Sequence, residues 1–212
     1  MEQDISFAAT PVAFVIFGIT IIVTLIAFYN EDFYTKLILQ PYNVSRGKCI
    51  YTLITSGFIH ADWMHLVFNM MTYYFFAFNL EKQLGHWQFA LLYMLSLILS
   101  DLPSVVKHKN DFWYRSLGAS GAISAVVFSA ILFNPLGKMG LIFLPIQIPA
   151  VLFGVLYLIY CSYASKQDQG RINHDAHLFG ALSGIMITVL LVPQVVPWFF
   201  HTVTGGIQSL LH

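Results

Sequence analysis

The chain has 212 residues, of which 58% are hydrophobic and only 9% charged, and its ten basic and ten acidic residues leave a formal net charge of zero. A soluble domain carries about 25% charged residues, so this composition excludes an ordinary water-soluble globule and indicates lipid as the main solvent. The balanced charge, with no run of basic residues, also argues against a nucleic-acid partner.

Six apolar segments follow one another along the chain, each close to the length that crosses a bilayer. They are residues 11–29, 62–80, 87–106, 120–134, 150–164 and 176–198. No basic residue precedes the first segment, so we interpret it as a retained helix and not as a cleaved signal peptide. No linker or repeat divides the chain. The sequence therefore predicts a single all-α domain, 1–212, with six transmembrane helices, in a multi-pass integral membrane protein surrounded by a lipid bilayer.

The connection between the first two predicted helices, residues 30–61, is long and carries both charged and apolar side chains. Its aromatic and aliphatic residues are spread through the first half of the connection: Phe33, Leu37, Ile38, Leu39 and Tyr42. This mixture is typical of a segment that lies on a membrane surface. We expect a long membrane-surface loop here.

The second, fourth and sixth predicted helices must begin at the same face of the membrane, because successive crossings alternate in direction. Polar side chains that are unusual for a span cluster at these starts: His60, His65, Asn69, Ser120, His174 and His177. Polar groups at membrane depth are costly and usually functional. We therefore expect hydroxyl, imidazole and amide groups from three distant segments to meet at one face.

Ser120 is the candidate nucleophile, within Gly118-Ala119-Ser120-Gly121. The flanking glycines permit a tight turn, and a backbone N–H beside the serine can stabilise an oxyanion. Small residues at a helix start also serve helix packing alone, so the tetrapeptide by itself is ambiguous. Segment 120–134 is roughly 22 Å long as a helix, against a hydrocarbon core of about 30 Å. Ser120 is therefore expected below the near interface, in a water-filled cavity.

His177 is the candidate base. It shares one helical face with Gly180 and Gly184, and the Gly-x-x-x-Gly spacing allows two membrane helices to approach closely. If the fourth helix docks on this face, the imidazole meets the Ser120 hydroxyl and can accept its proton. The alternative is a histidine that is merely satisfied at the membrane interface.

Two further side chains are placed to stabilise an oxyanion. His65 and Asn69 lie one turn apart on a common face, and both can donate hydrogen bonds. Together with the backbone N–H of Ser120 they could form an oxyanion hole.

A zinc cluster of His60, His65, His174 and His177 is the competing interpretation of the histidines. The H-E-x-x-H motif is missing, and neither histidine pair has i, i+4 spacing. We therefore expect no metal and no cofactor. The two cysteines, Cys49 and Cys161, are far apart and are expected to be unpaired thiols.

Taken together, these motifs resemble the signatures of the rhomboid protease family, in the family's order and on its second, fourth and sixth helices. They are Gly118-Ala119-Ser120-Gly121, Ala176-His177-x-x-Gly180-x-x-x-Gly184 and His60-x4-His65-x3-Asn69, and the turn at 81–85 also resembles the family's.

The resemblance implies an intramembrane serine endopeptidase with a dyad of Ser120 and His177 and no third acid. It also implies an oxyanion hole of His65, Asn69 and the Ser120 amide. His60, Gly118, Gly121, Gly180 and Gly184 would support this site. The implied substrates are single-span transmembrane proteins, cleaved within their transmembrane helices.

Two features depart from the family pattern. Some bacterial members carry an aromatic residue four positions after the nucleophile, stacked on the histidine, whereas this chain has Ser124. Their first loop also contains a Trp-Arg pair, to which Arg46-Gly47 is the nearest approach here. The sequence therefore does not identify what supports His177 or what seats the first loop.

The orientation expected from the resemblance places the N-terminus in the cytoplasm and the active site on the extracytoplasmic side of a plasma or inner membrane. Only Lys82 and Lys138 would then lie inside, with the other basic residues outside. The positive-inside rule predicts the reverse orientation. We follow the resemblance.

Two other functions fit a polytopic chain of this kind. A catalytically silent relative would bind transmembrane segments without cleaving them, and such a protein usually lacks one of the four site residues. A small transporter would favour ionisable residues near mid-span and paired broken helices. The polar groups here lie at one face, which favours the protease.

Overall fold

The structure, a computed structural model, describes residues 6–140, 146–167 and 173–211, with side chains described as far as residue 208. Its helices in chain order are α1 (Pro11–Tyr29), α2 (Glu31–Leu37), α3 (Pro41–Val44), α4 (Thr52–Thr55), α5 (Trp63–Leu84), α6 (His86–Lys107), α7 (Ser120–Phe133), α8 (Ala150–Ala164), α9 (His174–Leu191) and α10 (Val195–Leu211). A 3-10 turn covers Ser56–Phe58. Strands β1 (Lys138–Gly140) and β2 (Gln147–Pro149) pair antiparallel as a small hairpin between α7 and α8.

Helices α1, α6 and α9 are long and apolar enough to cross a membrane, and α7 and α8 are shorter apolar helices. The mean hydropathy of the whole chain is +0.71. The mostly helical structure and its apolar helices agree with the predicted all-α integral membrane protein. The count of six transmembrane spans stays a prediction.

Three helices follow the predicted segments closely: α1 and α8 coincide with residues 11–29 and 150–164, and α7 begins at Ser120. Helix α5 continues four residues beyond the expected end, to Leu84. The predicted segment 176–198 is wrong in its extent. Helix α9 ends at Leu191 and α10 begins at Val195, because Pro193 lacks the N–H and has the fixed φ that prevent a helix from continuing.

Helix α7 forms the centre of the core, and it is packed on several sides. Most of its residues are buried: Gly121, Ala122, Ile123, Ser124, Ala125, Val126, Val127, Phe128, Ser129 and Ile131. Its neighbours are α5, α6 and α9. A helix enclosed in this way can be apolar around most of its circumference, and three serines are the polar residues of this one.

The glycine face of α9 lies directly on the backbone of α7. A Cβ atom added at Gly180 would overlap the carbonyl oxygen of Gly121, and one added at Gly184 would overlap the backbone of Ala125. Only glycine allows this approach, which is the contact that the Gly-x-x-x-Gly spacing predicts. One turn beyond Gly184, Thr188 Oγ1 lies 2.6 Å from Ser129 Oγ and continues the same contact.

A buried carboxylate fixes the start of α1. Glu81, in the last turn of α5, is fully buried and accepts hydrogen bonds from the backbone N–H groups of Val12 (3.1 Å) and Ala13 (2.6 Å). His86 Nδ1 lies 2.6 Å from the same carboxylate. The first N–H groups of a helix have no acceptor within the helix, and a negative charge there is favourable. Glu81 thus ties α1 to the bundle.

Candidate active site

The segment that leads into α7 is held by the long loop before α5. Leu39 and Ser116 exchange two backbone hydrogen bonds of 3.0 Å, and the Gly118 N–H donates to the Ser56 carbonyl at 2.9 Å. Gly118 has a φ of +110°, a backbone conformation that favours glycine. The chain therefore turns sharply just before Ser120, the first residue of α7.

The loop itself is seated by a cation–aromatic contact. The Arg46 guanidinium lies 3.6 Å from the centroid of the Tyr42 ring and donates to the Lys109 carbonyl at 2.7 Å. Contacts of this kind are worth about 0.5–1 kcal/mol at exposed sites. Tyr42 and Arg46 thus connect this loop to the loop that follows α6.

Ser120 and His177 line one cavity of about 250 Å³, bounded by four helices. Asn69 and Thr72 come from α5, and Tyr157 comes from α8. The starts of α7 and α9 lie together, since a Cβ added at Gly121 would be 3.4 Å from the Ala176 carbonyl oxygen. The structure therefore brings Ser120 and His177, the two residues of the predicted dyad, from distant parts of the sequence to the same cavity.

The first turn of α9, which carries His177, is anchored by Asn173. Its side chain accepts from the Ala176 N–H at 3.0 Å and donates to Ser104 Oγ at 2.9 Å and Ser116 Oγ at 3.0 Å. An asparagine at this position caps the helix and typically stabilises it by about 1 kcal/mol. The same side chain links α9 to α6 and to the segment before Ser120, so it fixes the level of His177 relative to Ser120.

The acid nearest to His177 in sequence has another partner. Asp175 Oδ2 lies 3.1 Å from Lys107 Nζ, at the end of α6. The Lys107 ammonium also donates to the Ser165 carbonyl at 3.1 Å. Asp175 thus forms an ion pair between α6 and α9.

Tyr157 is the residue that sequence reasoning missed. Its hydroxyl lies 2.9 Å from Ser124 Oγ. Its ring lies nearly parallel to the His177 imidazole, with an interplanar angle of 21° and centroids 6.4 Å apart. Ser124 occupies the position where some family members carry an aromatic side chain. Here the aromatic ring comes from α8, and Ser124 holds it by a hydrogen bond.

Asn69 and His65 occupy different places. Asn69 is buried, lines the cavity and donates from Nδ2 to the His65 carbonyl at 2.8 Å. The His65 imidazole packs against the turn before the serine, because a Cβ added at Gly118 would be 2.8 Å from His65 Nε2. The described cavity lining includes Asn69 and not His65. His65 therefore supports the turn before Ser120, and it lies beside the cavity rather than in its lining.

His60 is a buried structural histidine. The Thr24 hydroxyl donates to the Phe58 carbonyl at 3.0 Å, so it accepts from His60 Nδ1, also 3.0 Å away. Burial, followed by the neighbouring His65, lowers the pKa of His60 to about 3. The ring is consequently neutral at pH 7 and joins α1 to the loop. It contacts His65 edge to face, with centroids 4.9 Å apart.

The four histidines of the candidate zinc cluster form two separate pairs, and a cysteine lies beside the second pair. The His174 and His177 rings are 6.1 Å apart, and Cys161 of α8 lies beside them. Cys49 is exposed and Cys161 buried, and both are free thiols, as expected. The sequence pattern offered no reason to group Cys161 with the histidines, because the contact depends on how α8 packs against α9.

Comparison with known proteins agrees with this architecture. Residues 48–194 match the family model described as the rhomboid domain. The chain is 35% identical over 142 residues to the Bacillus subtilis protein named "Putative rhomboid protease YdcA", covering 67% of each chain.

Two mitochondrial proteins are also similar. RHOMBOID-like protein 12 of Arabidopsis thaliana is 26% identical over 72% of this chain and 50% of its own length. Presenilin-associated rhomboid-like protein A of Danio rerio is 31% identical over 66% of this chain and 37% of its own length. The aligned region thus spans half or less of each mitochondrial relative. The matches together show that this chain belongs to the rhomboid family.

Proposed function

We propose that this protein is an intramembrane serine endopeptidase that cleaves transmembrane helices of other membrane proteins, with Ser120 as nucleophile and His177 as general base. The observation that carries the proposal is the shared cavity. Ser120 from α7, His177 from α9 and Asn69 from α5 all line it. A nucleophile, a base and a hydrogen-bond donor in one space are the groups that acyl transfer needs.

The first half of the reaction forms an acyl-enzyme. Ser120 Oγ attacks the carbonyl carbon of the scissile peptide bond while the His177 imidazole accepts the hydroxyl proton. The carbonyl oxygen becomes an oxyanion. Ser120 is the first residue of α7, so its N–H has no acceptor within the helix and can donate to that oxygen. The C–N bond then breaks, and the imidazolium returns the proton to the leaving amine.

The second half repeats these steps with water. His177 takes a proton from water, whose oxygen attacks the acyl carbon, and the proton passes to Ser120 Oγ as the ester breaks. Asn69 donates to the oxyanion in both halves, with His65 beside the turn as the other proposed donor. Removing one oxyanion donor typically costs about 10²- to 10³-fold in rate.

Ser120→Ala tests the proposal. Purified protein is incubated in detergent or liposomes with a single-span membrane protein, and cleavage is followed by mass spectrometry of the products. We expect cleavage by the wild type and none by Ser120→Ala. Ser129→Ala is the matched control, because Ser129 is buried on the same helix and bonded to Thr188. Cleavage that survives in Ser120→Ala would overturn the dyad, and substrate binding without cleavage by the wild type would favour a silent binder.

A further inference from the structure

A cysteine and two histidines converge where α8 ends and α9 begins. One ligand atom from each of Cys161, His174 and His177 lies within 4.8 Å of the other two. Cys161 is fully buried, and the histidines are half-buried. Nδ1 of His174 is buried without a hydrogen-bond partner among the described residues. A buried polar atom normally has such a partner, so this nitrogen is available for a further ligand.

The three side chains form a donor set suited to a thiophilic divalent cation. Zinc binds thiolate sulfur at about 2.3 Å and imidazole nitrogen at about 2.0–2.1 Å, usually in a tetrahedron. Donor atoms around such an ion lie roughly 3.3–3.8 Å apart by that geometry, so the cluster needs to contract by about 1 Å. His174 and His177 are three residues apart on one helix and share a face. Three protein ligands leave a fourth position for water.

We propose that Cys161, His174 and His177 bind Zn²⁺ or a similar thiophilic cation, and that the bound cation inhibits the enzyme. Binding releases the thiol proton to solvent and forms one sulfur–metal and two nitrogen–metal bonds, with no change of oxidation state. A neutral imidazole has a lone pair on only one of its nitrogens. Once the cation holds that lone pair, His177 can no longer accept the Ser120 proton, whichever nitrogen is the ligand. The inhibition rests on the proposed protease activity, whereas the binding does not.

Cobalt tests the binding without any assay of activity. Co²⁺ replaces Zn²⁺ in such sites, and a thiolate ligand gives it an intense charge-transfer band. We expect this band when CoCl₂ is added to purified wild-type protein and to Cys49→Ser, whose thiol lies in the exposed loop. Cys161→Ser should lack the band, and His174→Ala should bind Co²⁺ at least about tenfold more weakly, since loss of even an outer-shell partner costs about 10- to 100-fold.

Zinc titration of cleavage tests the inhibition. ZnCl₂ should stop cleavage by the wild type, and EDTA should restore it. Without zinc, Cys161→Ser should cleave at the wild-type rate. The zinc concentration that inhibits it should be at least about tenfold higher than for the wild type. A wild-type cobalt spectrum without a thiolate band, or one unchanged in Cys161→Ser, would overturn the metal site. Equal zinc sensitivity of both proteins would overturn the inhibition. A protein that gives the band but cleaves nothing retains the metal site and refutes only the protease.

Discussion

The Tyr157 hydroxyl lies 2.9 Å from Ser124 Oγ, and this contact joins α8 to α7 beside the candidate base. The Tyr157 ring lies nearly parallel to the His177 imidazole, and the Phe153 ring stacks with the Tyr157 ring at a centroid distance of 5.9 Å. Ser124, four residues after Ser120, thus holds Tyr157 by a hydrogen bond, and the aromatic ring beside His177 comes from α8 and not from α7. We propose that Tyr157 positions the His177 imidazole.

Tyr157→Phe should lower kcat about fivefold, because it keeps the ring and removes a hydrogen bond worth about 1 kcal/mol. Ser124→Ala should have a similar effect, and the double variant should be no worse than either single one if the two act only through each other. The measurement is kcat and KM for a single-span substrate in liposomes. A change in KM alone would assign Tyr157 to substrate binding and not to the support of His177.

Asn69→Ala should lower kcat by roughly 10- to 1,000-fold, because the cavity loses a donor to the oxyanion. His65→Ala should fall in the same range, and its imidazole also fills the space beside Gly118. The two roles are separable by thermal unfolding in detergent. We expect Asn69→Ala to keep the wild-type Tm and His65→Ala to lower it. Wild-type rates in both variants would remove these residues from the oxyanion hole.

Gly180→Ala should separate α9 from α7, because its Cβ would overlap the Gly121 carbonyl oxygen. Overpacking of this kind typically costs about 1–3 kcal/mol, and the displacement would also move His177 away from Ser120. We expect a lower Tm and lost cleavage. Gly18→Ala is the matched control, since Gly18 lies within α1 with no atom within 4 Å of an added Cβ. Equal loss in both variants would mean that the helix contact is not the cause.

Local spacing was enough to predict that α9 packs closely on α7, but not which side chain lies beside His177. Gly180 and Gly184 share a face with His177 in any α-helix, so the docking of α7 could be predicted from periodicity alone. The partner of His177 on α8 could not, because Tyr157 sits in a uniformly apolar segment where nothing marks the side that faces the cavity. Pro193 is a different case. The sequence alone predicts that this proline ends α9, but the segment stays apolar across it, so hydropathy gives no sign of the break.

The seating of the first loop shows the same limit. Arg46 and Tyr42 are four residues apart, a spacing that gives no signal until the backbone at 41–44 is known to be helical. The Lys109 carbonyl that Arg46 binds lies in a distant loop. Pairings between loops depend on tertiary structure, and a single sequence carries no pattern for them.

Cys49 provides a direct test of orientation. It is exposed, and its loop lies on the same side as Ser120, because the Gly118 N–H donates to the Ser56 carbonyl. The positive-inside rule places this basic face in the cytoplasm. The resemblance to the rhomboid family places the same face outside the cytoplasm. We propose that the face is extracytoplasmic.

A membrane-impermeant maleimide should therefore label the wild type in intact expressing cells, without permeabilisation. Cys49→Ser should remain unlabelled, since the other cysteine, Cys161, is buried. Labelling of both proteins after denaturation in detergent controls for expression and for thiol reactivity. If Cys49 reacts only after the cells are permeabilised, the active-site face is cytoplasmic and the charge bias, not the family resemblance, predicts the topology. In that case the candidate substrates would be membrane proteins whose helix-weakening residues lie near the cytoplasmic end of their spans.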